Sequence, residues 1–326
     1  MNEQWLIPFL ILGFLFNIFL YQIFLKIIKR SNIRQSIREE GPKRHQKKAG
    51  TPTMGGIIII IGTLILYITG KILFRLTFNF SDLLLLFPFV SYGIIGLIDD
   101  LLSIKHHENE GLSVKQKFLL EILVSGIFYF LVLTLNFDNT LSFFGTSVEL
   151  GFLYGVFIIL LMTFITNATN FTDGLDGLLG SSSLTSFLSI GILAYLKNEM
   201  SVCFLCLVLS FSLCGFLIFN YNKAKLFMGD TGSLAIGGLM CSILIYLKME
   251  MLIIFFGAIY IIEILSVILQ VWFFKRTKGE RIFKMTPLHH HFELINFSEY
   301  QIVFLFSTFN LIMCIIGIMI GVKLDG

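Results

Sequence analysis

Five aspartates and three adjacent histidines are the residues of this chain whose types and spacing could do chemistry. The aspartates lie in GLIDDLLSIK, NATNFTDGLDG and FMGDTGSLAIGG, and the histidines stand together in PLHHHFE. Carboxylate oxygens are ligands that hard cations such as Mg²⁺ prefer. A histidine beside an anion offers hydrogen bonds and, when protonated, positive charge. The residue types therefore indicate a site that handles an anionic group with the help of a divalent cation.

The two aspartate pairs have different spacings and different alternatives. Asp99 and Asp100 are adjacent at the predicted end of a helix, where like charges repel and the helix dipole disfavours acids. A bound cation would relieve both effects, whereas the alternative is that the two charges only mark the water boundary. Asp173 and Asp176 share a face if their segment is helical. Their alternative is a capped loop, with Asp173 or Thr172 capping the next helix.

Asp230 is predicted to begin a helix between two glycines. A helix N-terminus attracts phosphate oxygens, and the carboxylate there could hold a metal. The alternative is that Asp230 or Thr231 only caps the helix. Glu263 lies midway along a predicted membrane span, where either a buried hydrogen bond or a functional role would account for it.

Composition indicates the elements that must position these residues. The 326 residues are 56% hydrophobic and 14% charged, with a mean hydropathy of +0.86, which a soluble domain of this size would not show. The apolar runs are long enough to cross a bilayer as helices. We predict an all-α, polytopic membrane protein with one helical domain over 1–326 and about ten spans, at 4–28, 53–70, 81–98, 117–136, 150–168, 177–196, 201–219, 232–248, 251–274 and 302–322.

The positive charges predict the orientation. The loops after the odd-numbered spans carry 19 of the 24 Lys and Arg residues, so these loops are expected in the cytoplasm and both termini outside. The five aspartates and the histidines then share the cytoplasmic face and predict one active site there. Asp82 falls on the outer face and is expected to be dispensable. The outer segment around Gly145 predicts a small hairpin.

The motifs GTPTMGG, GLIDD, NATNFTDGLDG, FMGDTGS and PLHHHFE occur in that order. In this order the sequence resembles the phospho-N-acetylmuramoyl-pentapeptide transferases, bacterial translocases of the polyprenyl-phosphate sugar-1-phosphate transferase superfamily. The resemblance runs nearly end to end, and the triple histidine is typical of the muramoyl-pentapeptide branch. One departure is Lys223, in NYNKAKLFMGD, where the family usually has a proline before the alanine.

The resemblance implies a bacterial enzyme of the inner (cytoplasmic) membrane. It would transfer phospho-N-acetylmuramoyl-pentapeptide from UDP-N-acetylmuramoyl-pentapeptide to undecaprenyl phosphate with Mg²⁺, releasing UMP and lipid I for peptidoglycan. The implied partners are these two substrates, the lipid bilayer and a second copy in a homodimer, with no nucleic acid. Direct attack by the lipid phosphate and a covalent route through Asp99 or Asp100 both stay open. The alternatives in function are a related transferase that uses UDP-GlcNAc, and a transporter.

The resemblance also implies residue roles. Asp230 would be the metal ligand, with Asp99 close to the metal and Asp100 and Asp173 as neighbours. The uridine pocket would comprise Lys48, Thr53, Asn170, Asp176, Asn220 and Phe227, and the sugar-peptide end Lys115, Gln270, His289, His290 and His291. Because consecutive side chains diverge on a helix or strand, the three histidines are expected to grip the donor rather than one metal ion.

Overall fold

The computed structural model describes residues 3–30, 50–106, 111–135, 137–143, 146–221 and 223–324, so Lys48 lies outside the described residues. Within these ranges ten helices are long and apolar enough to cross a membrane, as the sequence predicts. They are α1 (Glu3–Arg30), α2 (Gly56–Leu73), α3 (Phe80–His106), α4 (Val114–Thr134), α5 (Phe152–Thr172), α6 (Leu178–Leu196), α7 (Met200–Asn220), α8 (Gly229–Tyr246), α10 (Ala258–Thr277) and α12 (Glu299–Lys323).

The shorter elements lie between these helices. A 3₁₀ turn at Glu250–Leu252 leads into α9 (Ile253–Phe256), and α11 (Leu288–Leu294) carries the histidines. The predicted hairpin is confirmed: β1 (Thr140–Phe143) pairs antiparallel with β2 (Thr146–Glu149).

Two predicted helix boundaries were wrong in ways that matter for function. α3 continues to His106, so Asp99 and Asp100 lie inside the helix rather than at its end. The ninth span was predicted to be continuous, but the chain leaves helical geometry at Gly257, between α9 and α10. Hydropathy cannot locate such a break, because the residues on both sides of it are equally apolar.

The helix α8 lies at the centre of the bundle and packs against α2, α3 and α5. Small residues bring the neighbouring backbones close, as they commonly do between membrane helices. A Cβ on Gly96 of α3 would overlap the backbone of Asp230, and one on Gly56 of α2 would overlap the backbone of Gly232. Glycine at these two positions therefore lets α3 and α2 touch the first turn of α8.

The outward surface of the bundle carries large exposed apolar side chains, among them Leu12, Phe130, Leu160 and Phe304. A water-soluble monomer does not expose apolar surface on this scale, whereas a bilayer covers it. The ten long apolar helices and this surface together describe a multi-pass membrane protein. The location of the two termini relative to the membrane stays a prediction.

Asp82, which the sequence predicts to be a dispensable residue of the outer face, is buried in an ion pair. Its carboxylate is buried and accepts from Lys71 Nζ at 2.5 Å and from the Tyr67 hydroxyl at 2.5 Å. The backbone N–H of Asn79 donates to its other oxygen at 2.7 Å. Asp82 thus clamps the end of α2 to the start of α3.

A second polar cluster lies at the C-terminal end of α8. Buried Glu250 accepts a hydrogen bond from the Tyr154 hydroxyl. Lys248 donates to the Tyr154 hydroxyl at 3.2 Å and to the backbone oxygen of Asp138. These contacts join the turn after α8 to α5 and to the segment that leads into the hairpin.

Candidate active site

The first turn of α8 is held by Asp100. One carboxylate oxygen of Asp100 accepts from the backbone N–H of Asp230 at 3.1 Å. The other accepts from the backbone N–H of Thr231 at 3.0 Å and from its hydroxyl at 2.6 Å. The first N–H groups of a helix have no partner within the helix, and an acid is favoured there by the helix dipole. Asp100 therefore acts as a cap for α8 that is supplied by α3.

The carboxylate of Asp230 points toward α4 and α5. Lys117 of α4 donates to its Oδ2 at 2.5 Å, and Asn170 of α5 donates to its Oδ1 at 2.8 Å. The Asn170 amide also donates to the hydroxyl of Ser233 at 3.0 Å. Three helices, α4, α5 and α8, thus meet at one carboxylate.

Asp99 stands beside the same carboxylate. Its Oδ1 accepts from the backbone N–H of Leu112 at 3.0 Å, and its charge interacts with those of Asp230 and Lys117. The structure therefore brings Asp99, Asp100, Asp230 and Asn170 together, as the sequence predicts, and adds Lys117 to them.

Asp173 and Asp176 lie in the turn between α5 and α6 and do not share a helical face. Burial, followed by the negative charges of Asp230 and Asp100, raises the pKa of Asp173 well above its usual range, although the backbone of Gly229 donates a hydrogen bond to it. Asp176 faces the segment after α7, where it accepts from the backbone N–H of Ala224 at 2.8 Å. Asp173 thus belongs to the acidic cluster, and Asp176 holds a loop.

The loop between α7 and α8 is fixed from several sides. Asn220 accepts from the backbone N–H of Gly177 at 2.8 Å and donates to the backbone oxygen of Leu226 at 2.9 Å. Phe227, which is half-buried, pairs through its backbone with Pro52 and Gly55, at 2.8 Å in each bond. These contacts bring Asn220, Phe227 and the start of α2 together at the same end of the bundle as Asp230.

Thr53 lies under this loop, beside Gly229. A Cβ on Gly229 would meet Thr53 Oγ1 at 2.9 Å and Asp100 Oδ2 at 2.7 Å, and Gly229 has a φ of 77°. Both the space and the backbone conformation therefore favour glycine. Lys223 has a φ of 75°, which a proline ring cannot adopt. The loop of this chain thus has a local backbone that the usual family residue could not take.

The three histidines have different hydrogen-bond partners, although the His289 and His290 rings touch, with their centroids 4.2 Å apart. His289 is buried, its backbone N–H donates to Glu263 Oε1 at 3.2 Å, and its ring lies against Gly174 with no room for a side chain there. Its Nδ1 is 3.2 Å from Glu263 Oε1 without the alignment of a hydrogen bond, so neither ring nitrogen has a hydrogen-bond partner among the described residues. Of the two alternatives for Glu263, a buried hydrogen bond or a functional role, the structure shows the buried hydrogen bond.

The other two histidines contact their own segment. His290 Nδ1 lies 2.8 Å from Glu293 Oε2, and His291 Nδ1 accepts from the backbone N–H of Lys284 at 3.1 Å. The expected divergence of consecutive side chains does not hold for His289 and His290, whose rings lie against each other, and the role of the block toward the donor stays a prediction. Through His289 and Gly174, however, the block touches the turn that carries Asp173.

The remaining predicted residues are less directly placed. Gln270 accepts from the backbone N–H groups of Ile282 and Phe283, at 3.1 and 3.0 Å, and so shapes the loop before the histidines. The side chain of Lys115 is exposed, while Lys117, two residues further along α4, reaches Asp230.

Sequence reasoning missed the roles of Lys117 and Glu121. Both are charged, lie four residues apart in an otherwise apolar span, and so share one helix face. Glu121 is 1% exposed and accepts from the side-chain amide of Asn167 at 2.6 Å. Two charges at this spacing inside a membrane helix were the available signal.

The acidic cluster fits a magnesium ion of the kind that substrates help to bind. Among the described residues no three His, Cys, Asp or Glu side chains converge closely enough to hold a metal unaided. Mg²⁺ usually keeps several waters and takes one or two carboxylates together with substrate phosphates. Asp230 and Asp99 supply two carboxylates, and the ammonium of Lys117 already occupies a cation position on Asp230.

Two family descriptions match the sequence of this chain. The model of glycosyl transferase family 4 matches residues 83–248, and phospho-N-acetylmuramoyl-pentapeptide-transferase signature 1 matches residues 48–60.

Three similar proteins are each named phospho-N-acetylmuramoyl-pentapeptide-transferase. The one from Geobacillus thermodenitrificans is 40% identical, with 99% of each chain covered. The one from Bacillus subtilis is 41% identical over 99% of this chain and 100% of the relative. The one from Staphylococcus carnosus is 43% identical over 96% and 98%. On this likeness along its whole length, the chain belongs to the phospho-N-acetylmuramoyl-pentapeptide-transferase family.

Proposed function

We propose that this chain transfers phospho-N-acetylmuramoyl-pentapeptide from its UDP-linked donor to undecaprenyl phosphate, giving lipid I and UMP for peptidoglycan. The observation that carries the proposal is the meeting of Asp99, Asp230 and Lys117 at one end of a membrane bundle. Such a site can neutralise and orient phosphate groups where a lipid substrate and a water-soluble substrate both have access. The names of the related proteins supply the identity of the transferred group.

Magnesium is part of the proposal. Asp230 and Asp99 would hold it, and when bound it would offset the negative charge of the donor diphosphate and of the departing UMP. Two unit charges 4 Å apart repel by about 4 kcal/mol at an effective dielectric constant of 20, so neutralising charge is the main task of such a site.

The chain's own residues support direct attack by the acceptor. A phosphate monoester has a second pKa of about 6 and is mostly ionised at neutral pH, so its oxygen needs little help from a general base. That oxygen would bond to the phosphorus that carries the sugar, and the bond from this phosphorus to the UMP oxygen would break. Asp100 is engaged by three donors of α8, which favours a structural role for it over that of a covalent nucleophile.

The donor would lie across the loops around Asp230. Thr53, Asn170, Asp176, Asn220 and Phe227, with Lys48, would surround the uridine, and Asp173 would lie beside the diphosphate. Gln270 and the three histidines, with Lys115, would face the sugar and peptide. Two connections support this arrangement. The loop held by Asn220 leads to Gly229, which lies against Asp100. The segment held by Gln270 leads to His289, which lies against Gly174 beside Asp173.

The setting is proposed as the cytoplasmic membrane of a bacterium, with the site at the cytoplasmic face, both termini outside, and two copies forming a homodimer. A single cysteine at Thr277 should react with an impermeant reagent only from the cytoplasmic side, and one at Asn198 only from outside. The native cysteines at 203, 206, 241 and 314 are buried, which limits background labelling. Reversed labelling would contradict the orientation.

The test of function is UMP release by the purified chain. The protein is incubated with undecaprenyl phosphate and Mg²⁺ and with either UDP-N-acetylmuramoyl-pentapeptide or UDP-GlcNAc. Release with the first donor alone is expected, while release with UDP-GlcNAc would identify the alternative transferase. Asp230→Asn should lower the rate by about 100-fold to 1000-fold at any practical Mg²⁺ level. Asp138→Asn, at the other end of the bundle, is the matched control and should retain the native rate.

A further inference from the structure

Both carboxylate oxygens of Asp230 already have a donor, and the charged donor is Lys117. Its ammonium lies 2.5 Å from Asp230 Oδ2, while Asp230 Oδ1 is engaged by the amide of Asn170. The Lys117 side chain is 16% exposed, so its charge is largely removed from water. A cation that binds Asp230 through Oδ2 would therefore compete with this ammonium for the same oxygen.

A second carboxylate is placed to receive the displaced charge. Glu121 lies one helical turn after Lys117 on the same face of α4, and its charge already interacts with that of Lys117. Its Oε2 accepts from Asn167 at 2.6 Å, but its Oε1 is buried with no hydrogen-bond partner among the described residues. Helical side chains lean toward the N-terminus, which directs the Glu121 carboxylate toward the turn of Lys117.

The energetics of burial favour an exchange of partners. An ammonium or a carboxylate that is buried without a partner is strongly unfavourable. With Lys117 on Asp230, the unsatisfied group is Glu121 Oε1. With a metal ion on both Asp230 and Asp99, the two acids whose charges act most strongly on Lys117, the unsatisfied group would be Lys117 unless it turns to Glu121. Residues at i and i+4 on a helix are close enough to form such an ion pair.

We propose that Glu121 is a positioning residue that takes over the Lys117 ammonium when a divalent cation binds Asp230. The inference rests on the proposed magnesium site and deepens it, because it assigns Lys117 and Glu121 as a cation-exchange pair on α4. In the metal-free site Lys117 holds the carboxylate of Asp230 in place. In the metal-bound site Glu121 keeps Lys117 away from that carboxylate.

The test is a double-mutant cycle on Mn²⁺ affinity, which does not depend on turnover. Mn²⁺ binding to the purified full-length chain is followed by electron paramagnetic resonance for the native protein, Lys117→Met, Glu121→Gln and the double variant. Lys117→Met should bind Mn²⁺ at least about tenfold more tightly, because no ammonium competes. Glu121→Gln should bind about tenfold more weakly, within the range that loss of an outer-shell partner gives. Adding Glu121→Gln to Lys117→Met should change the affinity little.

The cycle separates exchange from simpler explanations. If Glu121→Gln weakened Mn²⁺ binding equally with and without Lys117, Glu121 would act through its charge or the fold alone, and the inference would be overturned. An unchanged affinity in Glu121→Gln would overturn it as well. Absence of Mn²⁺ binding to the native chain would remove the metal site together with the inference. UMP release that does not depend on Mg²⁺ would instead identify an error in the proposed function.

A matched control guards against loss of fold. Glu250→Gln also neutralises a buried glutamate, but at the opposite end of α8 from Asp230. Its Mn²⁺ affinity should equal that of the native chain. The glutamine in Glu121→Gln keeps an oxygen that can accept from Asn167, so thermal unfolding of this variant should stay close to native. A Glu250→Gln effect equal to that of Glu121→Gln would also overturn the inference.

Discussion

Asp100 and Thr231 are joined by two hydrogen bonds to one carboxylate oxygen, from the backbone N–H at 3.0 Å and from the hydroxyl at 2.6 Å. The other oxygen of Asp100 accepts from the backbone of Asp230. Asp99, its neighbour in sequence, instead faces the carboxylate of Asp230 and the charge of Lys117. The two adjacent aspartates therefore differ in what they contact, and this difference predicts different effects of mutation.

Asp100→Asn should lower both thermal stability and activity, whereas Asp99→Asn should lower activity and leave stability close to native. An amide at position 100 places an NH₂ group against donors of α8, and leaving such buried groups unsatisfied costs about 1–3 kcal/mol. Thermal unfolding in detergent and UMP release, measured on the same preparations, check this. A stable phospho-sugar adduct isolated on Asp100 would contradict the structural role.

Asp82→Asn should destabilise the protein rather than be neutral. The substitution leaves Lys71 buried without a counter-ion, and breaking one side of a buried pair costs about 3–5 kcal/mol. The measurement is the unfolding temperature. Adding Lys71→Met removes the stranded charge and should restore most of the loss, since asparagine can still accept from Tyr67. Equal instability of the single and double variants would show that the ion pair is not the cause.

The pH dependence of stability should include a contribution from Glu250. Burial raises the pKa of Glu250 above its usual value, against the opposing effects of Tyr154 and Lys248. Because the folded pKa exceeds the unfolded one, the protonated form favours folding. This contribution is present below the unfolded pKa and is lost as pH rises through the folded pKa. The difference in unfolding temperature between the native chain and Glu250→Gln should therefore rise as pH falls. If the two plots of unfolding temperature against pH run parallel, the effect is excluded.

His289→Ala and His290→Ala should have different consequences. His289 fills buried space against Gly174, so its removal should lower the unfolding temperature as well as kcat/KM, as loss of a buried ring does. His290 is partly exposed, so its removal should lower kcat/KM for the muramoyl-pentapeptide donor by about tenfold, the loss of one charged hydrogen bond. The Mg²⁺ dependence of His290→Ala should stay native. A shifted metal requirement would place His290 at the metal instead.

The elements of the fold were largely predictable, because hydropathy and length alone identify membrane helices. The hairpin was also predictable from alternation around one glycine. Helix ends were not: α3 continues past Asp99 and Asp100, since the hydropathy pattern ends before the helix does. The break at Gly257 lies within an apolar run and carries no compositional signal.

The residues of the site were predictable in kind but not in arrangement. Sequence motifs brought Asp99, Asp100 and Asp230 to one face, yet only the packing of α3 on α8 shows that Asp100 is a cap. Whether Lys115 or Lys117 contacts Asp230 depends on how α4 is rotated about its axis. Two lysines at a membrane boundary do not specify this rotation. The contact of His289 with Gly174 joins segments more than 100 residues apart, and no local pattern encodes it.

The burial of α8 has a consequence for depth. Its 18 residues span about 27 Å at 1.5 Å per residue, with Asp230 at one end and the cluster of Tyr154, Lys248 and Glu250 just beyond the other. A helix enclosed on all sides cannot slide without repacking its neighbours. The packing of α8 along its length therefore fixes the position of Asp230 along the helix axis. An acceptor whose tail lies in the bilayer presents its phosphate at one depth. A fixed position of Asp230 would let its carboxylate meet that phosphate.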